Sequence, residues 1–292
     1  MISIIIPVYN DEKNLLDCVK SLQNQKTKEK FEIIIVEDGS NSNIEKNFKE
    51  MRNIRYFWKS NGGPASARNF GLKKSKGELI VFIDSDCIAE KNWLSYLHEE
   101  IISSNNISGV GGRILNKNNG YISYSLHLLE FEGFTNIRGN EKRIIPTANA
   151  LFRRKDLELI NGFDNSLNLA GGDDVDLCWR LVKLKKKLIF YPKAIIYHKT
   201  STKFSKALKK VFVLGKGTFK TRKIHKDLPY SKLTNQTIIL LLMFLILPFI
   251  SSFRKLRKSQ EISFFNKVKY FPMITLFYFF FWFGVIIERW KN

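Results

Sequence analysis

The chain has 292 residues, with 48 Lys and Arg against 27 Asp and Glu, a formal charge of +21, and three cysteines. That length suits one large domain or one domain with an appendage, and the charge asks for an anionic partner such as nucleic acid, anionic lipid or nucleotide phosphate. Cys18, Cys87 and Cys178 stand singly without metal-ligand spacing, which points to reduced thiols in the cytosol rather than a disulfide frame, with Cys87 a small buried residue.

The first elements alternate. The apolar stretch 2–6 is too short for a secretory signal, has no basic residue before it, and runs into Pro7. Residues 3–9 are predicted to form a strand, and 11–24 a helix with apolar positions 15, 16, 19 and 22. A second strand follows over 31–36, leading to Glu37-Asp38-Gly39-Ser40. A helix over 44–51 and a third strand over 54–58 come next, then a helix opening near Asn61-Gly-Gly-Pro and running to about Lys74. After Glu78, residues 79–83 form an unbroken apolar run, the pattern of a strand buried on both faces. This order implies an α/β fold with a mostly parallel, doubly wound sheet. The pattern loosens into Gly-rich strands and loops over 107–150. Helical periodicity returns after Asp174, and 188–197 reads as a strand.

Asp84 and Asp86 end the 79–83 run at spacing i, i+2. Ligands of open α/β sheets bind at the carboxyl ends of the strands, so two hard oxygen donors there suit a divalent cation that bridges phosphates. The alternative is an Asp-Ser-Asp turn that caps the next element. A second acidic cluster, Gly171-Gly-Asp173-Asp174-Val-Asp176, stands at a helix start. Acids there are either N-caps or a base kept ionised by the helix field, with Asp173 and Asp176 as neighbours that raise its basicity.

Pro7-Val-Tyr-Asn, Glu37-Asp38-Gly-Ser, Ala67-Arg68-Asn69, Asp84-Ser-Asp86 and Gly172-Asp173-Asp174-Val-Asp176-Leu occur in this order. Together they resemble the inverting family 2 glycosyltransferases with a GT-A-type nucleotide-sugar-binding domain, and the resemblance covers residues 1–200. It implies nucleobase contacts for Pro7, Val8, Tyr9, Asp38 and Arg68, and ribose or metal contact for Asp84. Asp86 would hold Mn²⁺ or Mg²⁺ on the diphosphate, and His198 could complete that shell. Asp174 would be the base, with Asp173 where Glu is commoner. Asn149, in Thr147-Ala-Asn149, and Asp173 would lie near the sugar or acceptor. The implied donor is a nucleoside-diphosphate sugar, foremost a UDP-sugar, and the acceptor a glycan or polyprenyl-linked glycan. Arg289-Trp290 has Ile286 where the processive synthases carry Gln, so a transferase adding one or a few sugars is expected.

The last third concerns location. Residues 199–232 hold eleven Lys or Arg against the single acid Asp227, and apolar segments follow at once. Basic residues beside an apolar segment fit a cytoplasmic membrane surface better than a nucleic-acid groove, so no nucleic-acid partner is expected. Phe204, Ala207, Leu208, Val211 and Phe212 form the stripe of an amphipathic helix, for a membrane surface or for packing on the protein. Residues 237–253, interrupted by Pro248, and 271–287 are apolar runs at the short end for spanning. The cations between them argue against two full crossings and for a hairpin. The expected organisation is a catalytic domain over 1–200, a basic connecting helix over 201–232 and membrane-associated segments over 233–292, at the cytoplasmic face of the cell membrane. A sugar-nucleotide nucleotidyltransferase would carry a Gly-rich basic loop after the first strand, where this chain has Val8-Tyr-Asn-Asp11. A binding protein without catalysis would leave two separate acidic clusters unexplained.

Overall fold

β1 (Ile2–Val8) is buried at every position but the half-buried Pro7, so both faces of its sheet must be covered. It pairs in parallel with β2 (Phe31–Asp38) and β4 (Leu79–Ile83), and β2 pairs in parallel with β3 (Ile54–Lys59). Parallel neighbours need crossovers. Helices α1 (Glu12–Gln23) and α2 (Pro64–Lys74) supply two of them. α1 buries Cys18 together with Leu15, Val19 and Leu22, the last three each worth about 1.5–3 kcal/mol when fully removed from water. The helix expected over 44–51 is a single 3₁₀ turn, Glu45–Asn47. Buried Ile44 and Phe48 bracket it, and one tight turn suffices to bury both.

This computed structural model describes residues 1–40, 44–48, 51–132, 141–234, 236, 239–241, 244–259 and 262–291; positions 49 and 50 of the expected helix lie outside them. Two compact units divide the chain. The first holds Met1–Leu115, Gly139–Asn168 and Asp174–His198, and the second holds Asn116–Arg138, Leu169–Asp173 and Lys199–Asn292. After β4 come β5 (Cys87–Ala89), α3 (Trp93–Ile102), β6 (Ile107–Asn116), α4 (Tyr121–Glu130), β7 (Glu141–Lys142), β8 (Asn149–Arg153), α5 (Arg154–Leu159), α6 (Asp173–Lys183) and β9 (Lys187–His198).

Beyond β4 the sheet changes sense. β8 pairs antiparallel with β4 and with β6, giving the order β3-β2-β1-β4-β8-β6-β9-β5, with β7 also on β9. The doubly wound parallel pattern therefore holds for four strands, and the rest is mixed. Ala150, Leu151 and Phe152 of β8 are buried, so this returning strand completes the core beside β4. That core joins Ile5, Ile34 and Phe82 of the sheet to Ala65 and Ala67 of α2 and Leu177 and Leu181 of α6.

The second unit is helical, with α4, α7 (Phe204–Ile224), α8 (Ser231–Thr234), α9 (Leu247–Lys258) and α10 (Phe264–Trp290). The apolar stripe of α7 is used inside this unit, where Ala207 and Val211 pack with Leu126, Leu129 and Phe277. Those two positions of the stripe are committed to the protein, while Phe204 at its start stays exposed. A Cβ on Gly215 would sit 2.0 Å from the Phe281 carbonyl oxygen, and one on Gly284 2.1 Å from that of Phe212, so α7 and α10 touch backbone to backbone.

The apolar run at 237–253 is not one helix. A turn at 244–246 separates 239–241 from α9, where Pro248 occupies the first turn; positions 237, 238, 242 and 243 lie outside the described residues. The run at 271–287 lies within α10, whose 27 residues and 18-residue stretch of mean hydropathy 1.9 make it, among the described residues, the one helix long and apolar enough to cross a membrane.

Gly71 of α2 faces β1, where an added Cβ would lie 2.4 Å from Ile5 Cγ2. Alanine ordinarily stabilises a helix interior over glycine by about 1 kcal/mol, but overpacking costs roughly 1–3 kcal/mol. Gly71→Ala is expected to lower the urea midpoint, and a raised midpoint would show that α2 is free to shift.

Candidate active site

Register decides which side chains meet. Val8 stands opposite Glu37 and Asp38 opposite Lys59, so β1, β2 and β3 end level with one another. β8 starts at this edge, with Asn149 opposite Ile83 at the end of β4. β5 runs antiparallel to β9, with Cys87 opposite His198, so the last residue of β9 meets the loop that follows β4. α6 rises about 16 Å over its 11 residues and turns back into β9 through Lys185 at φ 59°. Asp174 at its start therefore returns to the carboxyl edge of the sheet.

At that edge the first-unit acids sit beside defined partners. Lys59 Nζ donates to Asp38 Oδ1 at 2.6 Å, while the amides of Gly62 and Gly63 donate to Oδ1 and Oδ2 at 3.0 and 2.8 Å. Gly63 makes this possible, because its φ of +86° and the 2.7 Å between an added Cβ and the Asn168 carbonyl oxygen both exclude a side chain. Arg68, buried in the second turn of α2, donates to Asp84 Oδ1 at 2.8 Å and lies 5.7 Å from the centre of the Phe163 ring. Asp84 keeps 32% of its side chain in solvent, so it can still reach a ligand. Ser85 donates to Asp11 Oδ2 at 2.8 Å, and the Asn10 amide donates to Ser40 at 2.8 Å, fixing the loops after β1, β2 and β4 to one another. Tyr9 is 57% exposed on the loop after β1.

Asp86 and His198 form the pair expected from the sequence. His198 Nε2 lies 3.3 Å from Asp86 Oδ2, and the imidazole is buried while the carboxylate is partly open. Ligand atoms of Asp86, Cys87 and His198 all fall within 4.8 Å of one another. Burial pushes the Cys87 thiol well above its ordinary range, and the Asp86 and Asp84 charges push it further. The Asp86 carboxylate and the His198 imidazole are donors of kinds that divalent cations take.

The second acidic cluster divides. Asp174 is half-buried, and its Oδ1 accepts from the Val175 amide at 2.8 Å. Asp176 is buried against Arg180, 2.6 Å away, so its charge is compensated and it does not act as the repulsive neighbour expected from the sequence. Arg180 also donates to the carbonyls of Ile160 and Gly162, anchoring the last turn of the helix. Asp173 is buried.

Asn149 is wholly buried and accepts from the Trp93 indole at 2.7 Å. Its amide donates to the carbonyls of Arg113 and Ala194, so its hydrogen bonds hold the sheet together. Sequence reasoning missed Lys59, Asp11 and Ser85. Lys59 becomes visible only with the β2–β3 register, and the Asp11–Ser85 bond spans 74 residues.

Residues 3–160 match the family profile described as Glycosyl transferase family 2, and the chain belongs to that family. It is 28% identical over 226 residues to the glycosyltransferase AglE of Haloferax volcanii, covering 74% of this chain and 72% of that protein. An uncharacterised glycosyltransferase of Rickettsia bellii is 44% identical over 108 residues, 36% of this chain, and that match spans only 15% of the relative's length. Among solved structures, the mannosyltransferase PcManGT from Pyrobaculum calidifontis, in complex with GDP-Man and Mn²⁺, superposes with a TM-score of 0.67. That likeness covers 100% of this chain and 87% of the other at 15% identity, and it establishes the GT-A-type fold.

Two outcomes follow from the geometry. Lys59→Met leaves the buried Asp38 without its cation and should cost about 2 kcal/mol in urea denaturation; an unchanged midpoint would make the pair dispensable. Cys18, Cys87 and Cys178 are all buried. A thiol-reactive disulfide reagent should therefore label none of them in the native protein and all three in denaturant.

Proposed function

We propose that this chain moves a sugar from a nucleoside-diphosphate sugar to an acceptor hydroxyl with inversion, assisted by a divalent cation. The observation that carries this reading is the convergence, at one sheet edge, of the Asp86–His198 pair, the Arg68–Asp84 pair and the start of α6. Asp86 and His198 would hold the cation, which as a Lewis acid would stabilise charge on the departing diphosphate. Asp38, Arg68, Pro7 and Tyr9 would receive the nucleobase, and Asp84 the ribose. Asp38 is already held by Lys59 and two amides, so it would meet the base pre-oriented.

Asp174 would take the proton of the acceptor hydroxyl. The oxygen attacks the anomeric carbon opposite the diphosphate, the bond to the diphosphate oxygen breaks, and the nucleoside diphosphate leaves with that electron pair. One displacement inverts the anomeric centre. Asp173 is buried and supports the start of α6 in this scheme, while Asn149 positions the strands around the sugar rather than touching it.

Residues 1–200 would form the catalytic domain and 201–292 a basic, apolar module that holds it at the cytoplasmic face of a membrane. The acceptor would be a glycan or a polyprenyl-linked glycan, and a UDP-sugar the first donor to try. A panel of nucleotide sugars with Mn²⁺, scored for released nucleoside diphosphate, tests the reading, whereas pyrophosphate as product would indicate a nucleotidyltransferase. Asp174→Asn should lower transfer about a thousandfold with nucleotide affinity unchanged. Undiminished turnover in that variant would remove Asp174 from the role of base.

A further inference from the structure

The second unit contains a groove of about 730 Å³ lined by Tyr230, by Phe249, Ile250, Phe253, Arg254, Arg257 and Lys258 of α9, and by Phe271 of α10. Its lining has three cations, five apolar or aromatic side chains and no acid. The α9 residues recur as adjacent pairs four apart, which puts them on one face of the helix. Along that face the character changes from apolar at 249–253 to cationic at 254–258, a rise of about 14 Å from first to last residue. A ligand that satisfies both halves has an anionic head and a hydrocarbon tail.

Tyr230 adds a second, independent observation. Its ring is flanked by two guanidiniums, Arg254 at 5.7 Å and Arg222 at 5.6 Å, and Arg254 also bonds its hydroxyl. Arg222 Nη1 is buried with no hydrogen-bond partner among the described residues. Burial pushes the Arg222 guanidinium down to about 10. Arg222 does not itself line the groove, but its charge and that of Arg254 both stand against the Tyr230 ring that does, which makes this wall of the groove electropositive.

The surroundings favour a lipid over a soluble phosphate. Phe253 is 61% exposed, and at the start of α10 Phe264 and Phe265 are 75% and 84% exposed. Phe271 lies in the opening turns of the one described helix apolar enough to cross a membrane. Exposed aromatics beside Arg and Lys at such a helix end match the headgroup level of a bilayer.

We propose that this groove binds the phosphate headgroup of an anionic membrane lipid, with Arg254, Arg257 and Lys258 on the phosphate and Phe249, Phe253 and Phe271 along the chain. The proposal is independent of the catalytic reading. It is tested by co-sedimentation of the full chain with vesicles of phosphatidylcholine alone or mixed with phosphatidic acid. Removing all three cations (R254Q, R257Q and K258Q together) should lower partition onto the anionic vesicles roughly a hundredfold, about fivefold per cation, and leave neutral vesicles unaffected.

A control that removes equal charge from exposed first-unit positions (K28Q, K91Q and K155Q together) should lose less than about threefold. If the groove triple fails to fold, R257Q alone, at an exposed position, should still lose about fivefold. Soluble short-chain phosphatidic acid should compete with the vesicles where inorganic phosphate does not. Equal losses in the two triples, full partition of the groove triple, or competition by inorganic phosphate alone would each overturn the assignment.

Discussion

The pairing of β5 with β9 is the constraint on which the site depends. β5 is only three residues long, yet its antiparallel register sets Cys87 opposite His198. Because side chains alternate along a strand, a slip of one residue would turn His198 away from Asp86 and face it into the opposite layer. The pair therefore comes from residues 112 positions apart that become adjacent only when the sheet has closed. Ile88 and Ala89 extend the same ladder to Tyr197 and Ile196, and the Tyr197 hydroxyl donates to Glu90 at 2.8 Å. These contacts set the position of His198 by the sheet, against Asp86 in the turn between β4 and β5.

Electrostatics follows the same economy of placement. Asp38 is held by Lys59, Asp84 by Arg68, Asp86 by His198 and Asp176 by Arg180. Asp84 and Asp86 retain exposure on the carboxylate side while Arg68 and the His198 imidazole are buried. A buried charge with an open partner is arranged to meet a charged ligand, since the ligand can complete contacts that solvent now makes. Asp176 is the opposite case, an acid closed off by its own arginine, and it anchors the helix that carries Asp174.

Much of this was legible in the residues. The apolar runs ending at Asp38 and Asp84 are strands because β-branched and aromatic residues fill them, and the carboxyl-edge rule then put their acids near a ligand. The antiparallel half was not legible, because Ala150-Leu-Phe is equally apolar in either direction and only the long-range pairing to β4 fixes its sense. Asn149 was singled out by the family resemblance of Thr147-Ala-Asn149, and its side chain bonds Trp93 and two carbonyls, partners that no local pattern announces. Lys59 and Ser85 carried no local signal, since their partners come from other strands and loops. In the C-terminal region the periodicity of α7 was plain, but which surface its stripe covers was decided by α4 and α10.

The central claim is that Asp86 and His198, joined by the β5–β9 register, hold a divalent cation for a nucleoside diphosphate. Titration of Mn²⁺ followed by electron paramagnetic resonance, with nucleoside diphosphate present, tests it without any demand for turnover. Wild-type protein should bind the ion, and His198→Ala and Asp86→Asn should each weaken binding at least about tenfold while the urea midpoint of His198→Ala stays near that of the wild type. Equal Mn²⁺ affinity in all three proteins would contradict the account.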